Sequence, residues 1–160
     1  MDLLDYATDP QLENEGVWVP MDEDTKLLIA RFENPKMRKM RERLSAPLAK
    51  ARGRAGLTPE DGKGVLNKCM AECLLLGWEN LNMGGEIVPY SKEKCLALMV
   101  DDRLADFKEL VLGMSQNLEH FRLESLEEDL GNLSGSSNIT QSGRKKTASS
   151  SKASKKKTPA

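Results

Sequence analysis

Residues 58–77 read TPEDGKGVLNKCMAECLLLG, and the partition of this stretch decides the fold. Thr58 has the character of a helix N-cap, and Pro59 suits the first helical position. Glu60 and Asp61 favour the positive end of a helix dipole. Thr58 and Asp61 also stand at capping-box spacing, with Asp in place of Glu. Val65, Leu66, Cys69, Met70, Cys73, Leu74 and Leu76 then continue a helix that closes at Gly77. Its second half is apolar nearly all round, the mark of a central, buried helix. Gly62 and Gly64 weaken its first turns by roughly 1 kcal/mol each relative to Ala.

Working upstream, Asn34 caps a helix with Pro35 at its first position. Met37, Met40, Leu44 and Leu48 recur at three- and four-residue steps, which is one helical face. Pro47 falls inside this helix, and a kink or break near Ser45 is the expected consequence. Between Lys36 and Arg54 there are eight Lys or Arg and one acid, Glu42. Further upstream, Gly16–Pro20 and Lys26–Phe32 read as two strands joined by the polar turn Met21–Asp24, a hairpin. An isolated hairpin is marginal in water, so this one is expected to pack on the helices through Trp18 and Phe32. Residues 1–15 are polar and acidic, with Asp9-Pro10 as a breaker, and read as a loose arm.

Downstream, Trp78–Gly85 reads as a loop pivoting on Gly84-Gly85. Glu86–Tyr90 is short and extended, a candidate third strand. Ser91 caps a short helix through Leu96 and Met99. Asp101-Asp102 opens a last helix whose stripe is Leu104, Phe107, Val111, Met114, Leu118 and Phe121. A charged segment, Arg122 to Asp129, is expected to extend it. Leu74 and Phe107 lie in the most apolar stripes, so both are expected in the core.

Residues 131–160 carry seven basic residues and no acid, whereas the preceding residues carry seventeen basic and twenty-five acidic ones. The formal charge of -1 thus joins an acidic body of about -8 to a basic tail of +7. The tail is Ser, Thr, Gly and Lys, with Leu133 and Ile139 as its only large apolar residues. That composition cannot offset the entropy of ordering. The body has the size of one domain with one core. Aromatics are few, and eight Met residues point to adaptable packing surfaces. No run approaches the ~18 apolar residues of a membrane span. The acidic start, Met1–Asp5, lacks the pattern of a signal peptide.

Three cysteines argue against a disulfide framework and fit a reducing cytoplasm. Cys69 and Cys73 share a helical face, but a zinc site needs about four ligands, and only Cys95 and His120 remain to join them. Buried thiols are the expected reading, with no cofactor. No nucleophile elbow, phosphate loop or dinucleotide fingerprint occurs. His120 has no partner set for a triad, so no enzymatic activity is expected. The basic segment reads either as a solvated face or as a docking surface for an acidic partner. In the second reading Arg38, Arg41 and Arg52, which lie off the Met37–Met40–Leu44 stripe, are the candidate partner-binding residues. No aromatic is interleaved with these charges, so a nucleic-acid stacking platform is missing. The basic tail reads either as a solubilising extension or as a nucleic-acid-binding arm.

Several stretches together resemble the tail assembly chaperones of long-tailed bacteriophages. They are Asp9-Pro10-x-x-Glu13-x-x-Gly16-Val17-Trp18-Val19-Pro20, Leu28-x-Ala30-Arg31-x-x-Asn34-Pro35, Leu75-Leu76-Gly77-Trp78 and Val88-Pro89-Tyr90-Ser91. The closing segment from Phe107 to Phe121-Arg122 completes the pattern. The resemblance covers roughly Asp9 to Asp129 and makes no claim on the tail. It implies a non-enzymatic protein of the bacterial host cytoplasm, absent from the mature virion. Such a protein binds and solubilises the tape measure protein, and a longer frameshifted form recruits tail tube protein. The alternatives are a small nucleic-acid-associated protein binding through the basic tail, or a structural head or tail subunit.

The expected fold is mainly α, with a small N-terminal antiparallel β-hairpin packed on three to four helices. The expected organisation is a flexible arm over residues 1–15, a compact domain over 16–129 and a disordered Ser/Lys-rich tail over 130–160.

Overall fold

A computed structural model describes residues 1–123. The expected basic tail, and most of the charged segment before it, lie outside the described residues. The fold is mainly helical with a small antiparallel sheet near the N-terminus, as the sequence indicates. Five α-helices are described: α1 (Pro10–Glu15), α2 (Pro35–Arg52), α3 (Pro59–Cys69), α4 (Lys92–Val100) and α5 (Ala105–Gln116). The sheet order is β1-β2-β3, with β1 Val17–Pro20, β2 Lys26–Ile29 and β3 Leu75–Glu79. A separate two-residue hairpin joins β4 (Asn82–Met83) to β5 (Glu86–Ile87).

The helix starts follow the capping chemistry. Asn34 Oδ1 accepts from the Met37 amide at 2.9 Å, and Ser91 Oγ from the Lys94 amide at 3.0 Å. At α3 the full reciprocal capping box forms between Thr58 and Asp61. Helix α2 runs unbroken through Pro47, so the expected break near Ser45 does not occur. Both Arg43 and Pro47 are exposed, which leaves the carbonyl that loses its amide donor open to water.

Helix α3 ends earlier than its apolar pattern indicates. One π-helical turn, Met70–Leu74, follows it, and the chain then enters β3. The Leu74 carbonyl accepts from the Ala30 amide at 2.8 Å, and the Cys73 carbonyl from Asn34 Nδ2 at 3.0 Å. Neighbours thus satisfy the terminal carbonyls that another helical turn would have used. The third strand is therefore Leu75–Glu79, not Glu86–Tyr90, whose first residues pair instead with Asn82–Met83.

The sheet's inner face presents Val19, Leu27, Ile29, Leu75 and Trp78, all buried. Trp18 points the other way, paired across from Leu28, and is 45% exposed. The hairpin is therefore anchored by its flanking neighbours on the strands and not by Trp18. Phe32 is half-buried beside the core. Trp78 holds the segment after β3: its Nε1 donates to the Val88 carbonyl at 2.6 Å, and Tyr90 meets its ring edge-on at 4.8 Å.

Residues 7–15, read from sequence as part of a loose arm, are tied to the domain. Asp9 caps α1 with Pro10 at its first position. The Asp9 amide donates to the Phe121 carbonyl at 2.8 Å, and the Arg31 amide to the Glu13 carbonyl at 2.9 Å. The Arg31 guanidinium lies 3.7 Å from Glu13 and 5.7 Å from the centre of the Phe121 ring. Helix α5 also stops short of the expected stripe: Asn117 is extended, and Leu118–Phe121 forms a 3-10 turn that buries Phe121 completely. Leu74 is fully buried, as expected, whereas Phe107 is only half-buried.

Candidate partner-binding surface

The chemistry-bearing side chains of the described residues are dispersed. His120 sits in the last 3-10 turn, its Nε2 3.4 Å from Asn117 Nδ2 and its ring edge-on to Phe121. Its sequence neighbour Glu119 is paired with Arg122 at 2.7 Å. Among the described residues no group of three or more His, Cys, Asp or Glu is placed to hold a metal ion. Cys69, Cys73 and Cys95 are free and buried. Burial pushes all three thiols up, that of Cys95 to about 12. No described helix is long and apolar enough to cross a membrane.

The basic segment becomes helix α2, and its cations divide between two flanks of the Met37–Met40–Leu44–Leu48 stripe. Arg38, Arg41 and Arg52 share one flank, since three and eleven residues are close to one and three helical turns. Two of them are engaged within the molecule. Arg41 makes a two-pronged pair with Glu33, a residue held at a positive φ of 62°. This hydrogen bonding strengthens the guanidinium's hold on its proton. Arg52 Nε lies 3.1 Å from Asp61 Oδ2, which makes it an adjunct of the α3 capping box. Arg38 is exposed and has no acid within ion-pair distance among the described residues.

The other flank forms a cleft. Lys36, Lys39 and Arg43 stand at i, i+3 and i+7 and overhang a hollow of about 460 Å³ floored by Met40 and Cys73. The two sulfurs touch at 3.6 Å. The far wall is Glu72, already paired with Lys92 at 2.7 Å. None of the three overhanging cations has an acidic partner within 4 Å among the described residues. The spacing of these three was readable from sequence. The pairing that sets them apart was not, because Glu33, Asp61 and Glu72 come from separate elements.

A second recess is apolar. Leu81, Met83, Val88, Leu98, Leu104 and Phe107, with Asn82 as the one polar lining residue, form a groove of about 130 Å³ between the β4–β5 hairpin and helices α4 and α5. Met83 and Ile87 on the hairpin are exposed, Ile87 at 66%. This explains why Phe107 is half-buried: one side of its ring is a groove wall. A cavity on the order of 150 Å³ accommodates a benzene ring, so this groove has room for one apolar side chain of a partner.

No curated protein and no solved structure matches the chain. A family model described as YdaY prophage protein matches residues 32–132, from the start of α2's approach through both recesses. That span is more than half of the 160 residues. The chain therefore belongs to the YdaY prophage protein family and is phage-derived.

Proposed function

We propose that this phage-derived protein is a tail assembly chaperone that binds and solubilises the tape measure protein without catalysis. The observation that carries this reading is the largely apolar groove beside the exposed Met83. A groove with room for one side chain, rimmed by the exposed Met83, suits transient capture of apolar positions on an amphipathic helix. The thioether of Met83 adapts to varied side chains, as serial binding along a long, imperfectly repeating helical client requires. Long helical proteins with uncovered apolar stripes aggregate, so such cover raises solubility. Arg38 adds electrostatic attraction from a different part of the surface. Recruitment of tail tube protein through a longer form, action in the host cytoplasm and absence from the finished particle belong to the same proposal.

Co-expression with the tape measure protein of the same prophage is the test. Soluble yield of that protein rises with the parent chain and falls back with Met83→Glu. Failure of the parent to raise it, or to co-purify with it, removes the reading. Sub-micromolar affinity for DNA or RNA in about 150 mM salt would favour a nucleic-acid-binding role instead.

A further inference from the structure

We propose that the basic cleft of α2 receives the N-terminal segment Met1–Tyr6 of a second copy of this chain, so that copies associate head to tail. The two surfaces are complementary and both are uncovered. On one side, Lys36, Lys39 and Arg43 overhang a thioether and thiol floor with no acid within 4 Å of them among the described residues, and the acid of the far wall, Glu72, is paired with Lys92. On the other, Met1, Leu3, Leu4 and Tyr6 are each more than half exposed, with Leu3 at 77% and Leu4 at 75%. Single exposed apolar residues are ordinary, but four in six residues form a patch. Asp2 and Asp5 are interspersed with them and are opposite in sign to the three cations of the cleft.

The segment is also shaped in advance. Asp2 Oδ1 accepts from the Leu4 amide at 2.9 Å, and the Ala7 amide donates to the Leu4 carbonyl at 2.9 Å, closing one 3-10 turn. Asp2 stands just before the turn and Asp5 within it. Lys39 and Arg43 are ~6 Å apart along α2. Beyond Tyr6 the chain is fastened at Thr8 and Asp9 to Arg122 and Phe121, so the turn projects from a fixed base. Preorganisation of this kind lowers the ordering cost of binding. The cleft and the turn are different surfaces of one chain, so the contact is heterologous, giving a closed assembly where the rotation closes and an open chain where it does not.

The contact is independent of the apolar groove, so its test is separate from the client-binding test. Sedimentation velocity on the full chain over a concentration series reads it directly. A six-residue contact belongs to the small, weak interface class, so a Kd on the order of 10–100 µM is expected, weakening several-fold in high salt. Lys36→Glu/Lys39→Glu/Arg43→Glu and Asp2→Lys/Asp5→Lys each change exposed side chains. Either variant alone is expected to associate at least tenfold more weakly than the parent. A mixture of the two associates again, because each supplies the half that the other has lost. Should the reversals cost folding, seen as a lost circular dichroism melt, Lys36→Gln/Lys39→Gln/Arg43→Gln and Asp2→Asn/Asp5→Asn serve for the single-variant comparison. A parent that stays monomeric over the series, a cleft or arm variant that associates like the parent, or a folded mixture that stays monomeric overturns the proposal.

Discussion

Asn34 Nδ2 donates to the carbonyl oxygen of Cys73 at 3.0 Å, thirty-nine residues away in sequence. The same side chain caps α2 through Oδ1 and donates to the Arg31 carbonyl at 2.8 Å. One buried amide thus starts one helix and helps to end another. Asn34→Ala removes the cap and leaves the Cys73 carbonyl without its partner, so a loss of about 2–3 kcal/mol is expected. Asn34→Ser keeps an acceptor for the Met37 amide and loses both donor bonds, and should fall between. Urea unfolding curves of the three proteins check the order.

Gly16 and Gly77 make opposite demands. Gly16 has φ +86°, and a Cβ there would stand 3.2 Å from the Ile29 carbonyl carbon and oxygen. Gly16→Ala combines a disfavoured backbone region with a backbone clash and should cost roughly 1–3 kcal/mol. A Cβ at Gly77 meets only side chains at ordinary distance, the nearest being Leu28 Cβ at 3.5 Å. Gly77→Ala should change stability by less than about 1 kcal/mol. Thermal melts of the two variants decide it, and equal losses would contradict the sheet geometry.

Phe121, not Phe107, is the phenylalanine that the core encloses. Phe121→Ala is expected to cost about 3–5 kcal/mol, and Phe107→Ala clearly less, because one side of its ring already faces the groove. Comparison of their denaturant midpoints tests this.

The same residues show what the sequence could disclose. Asn34-Pro35, Thr58-Pro59 and Ser91 start helices through local chemistry, and each start was legible. Asp9-Pro10 carries the same cap-and-proline signature, but a six-residue helix has no room for a periodic stripe, and it reads as a breaker. Leu74-Leu75-Leu76 is apolar without period, so helix and strand were indistinguishable there. The strand is imposed by pairing with Lys26–Ile29, a tertiary fact. Of the surface, the basic character of α2 was legible from composition. Its division into the paired flank of Arg41 and Arg52 and the unpaired flank of Lys36, Lys39 and Arg43 depends on acids brought in by folding.

Asp101 illustrates acid sensitivity. Hydrogen bonds from the Arg103 side chain and amide hold its carboxyl to about 2, and bonds to Thr58 lower that of Asp61. A carboxyl depressed in the folded state stabilises above its ordinary value near 3.8, and that contribution is lost as pH falls towards 2. Stability should therefore decline below about pH 4, and Asp101→Asn should flatten part of that decline. Chemical denaturation at a series of acid pH values reads both.

The thiols set the alkaline limb. Burial raises Cys95 from 9.0 to about 12, so the unfolded chain ionises first. Stability should be unaffected by Cys95 below pH 9 and fall as pH rises from 9 towards 12, with a shallower fall in Cys95→Ala. In the native protein at neutral pH, a thiol-reactive aromatic disulfide should reach Cys73 first, since it floors the cleft, and Cys69 and Cys95 only on unfolding. Mass spectrometry of partially labelled protein gives the order.

Charge reversal on α2 separates docking from stability. Arg38→Glu/Arg41→Glu/Arg52→Glu breaks the pairs with Glu33 and Asp61 and sets like charges against each other. Exposed pairs are worth roughly 0.2–1 kcal/mol each, so the triple variant should lose about 1–2 kcal/mol yet remain folded. Its weakened association with the tape measure protein would then mix two causes. Arg38→Glu alone breaks no ion pair among the described residues and should melt like the parent. If this flank steers the client, the single reversal slows association at low salt and loses its effect at high salt. Surface-immobilised tape measure fragments at two salt concentrations measure that rate. A single reversal that binds like the parent at both salts leaves the groove beside Met83 as the whole of the client-binding surface, and Arg38 as solvated charge.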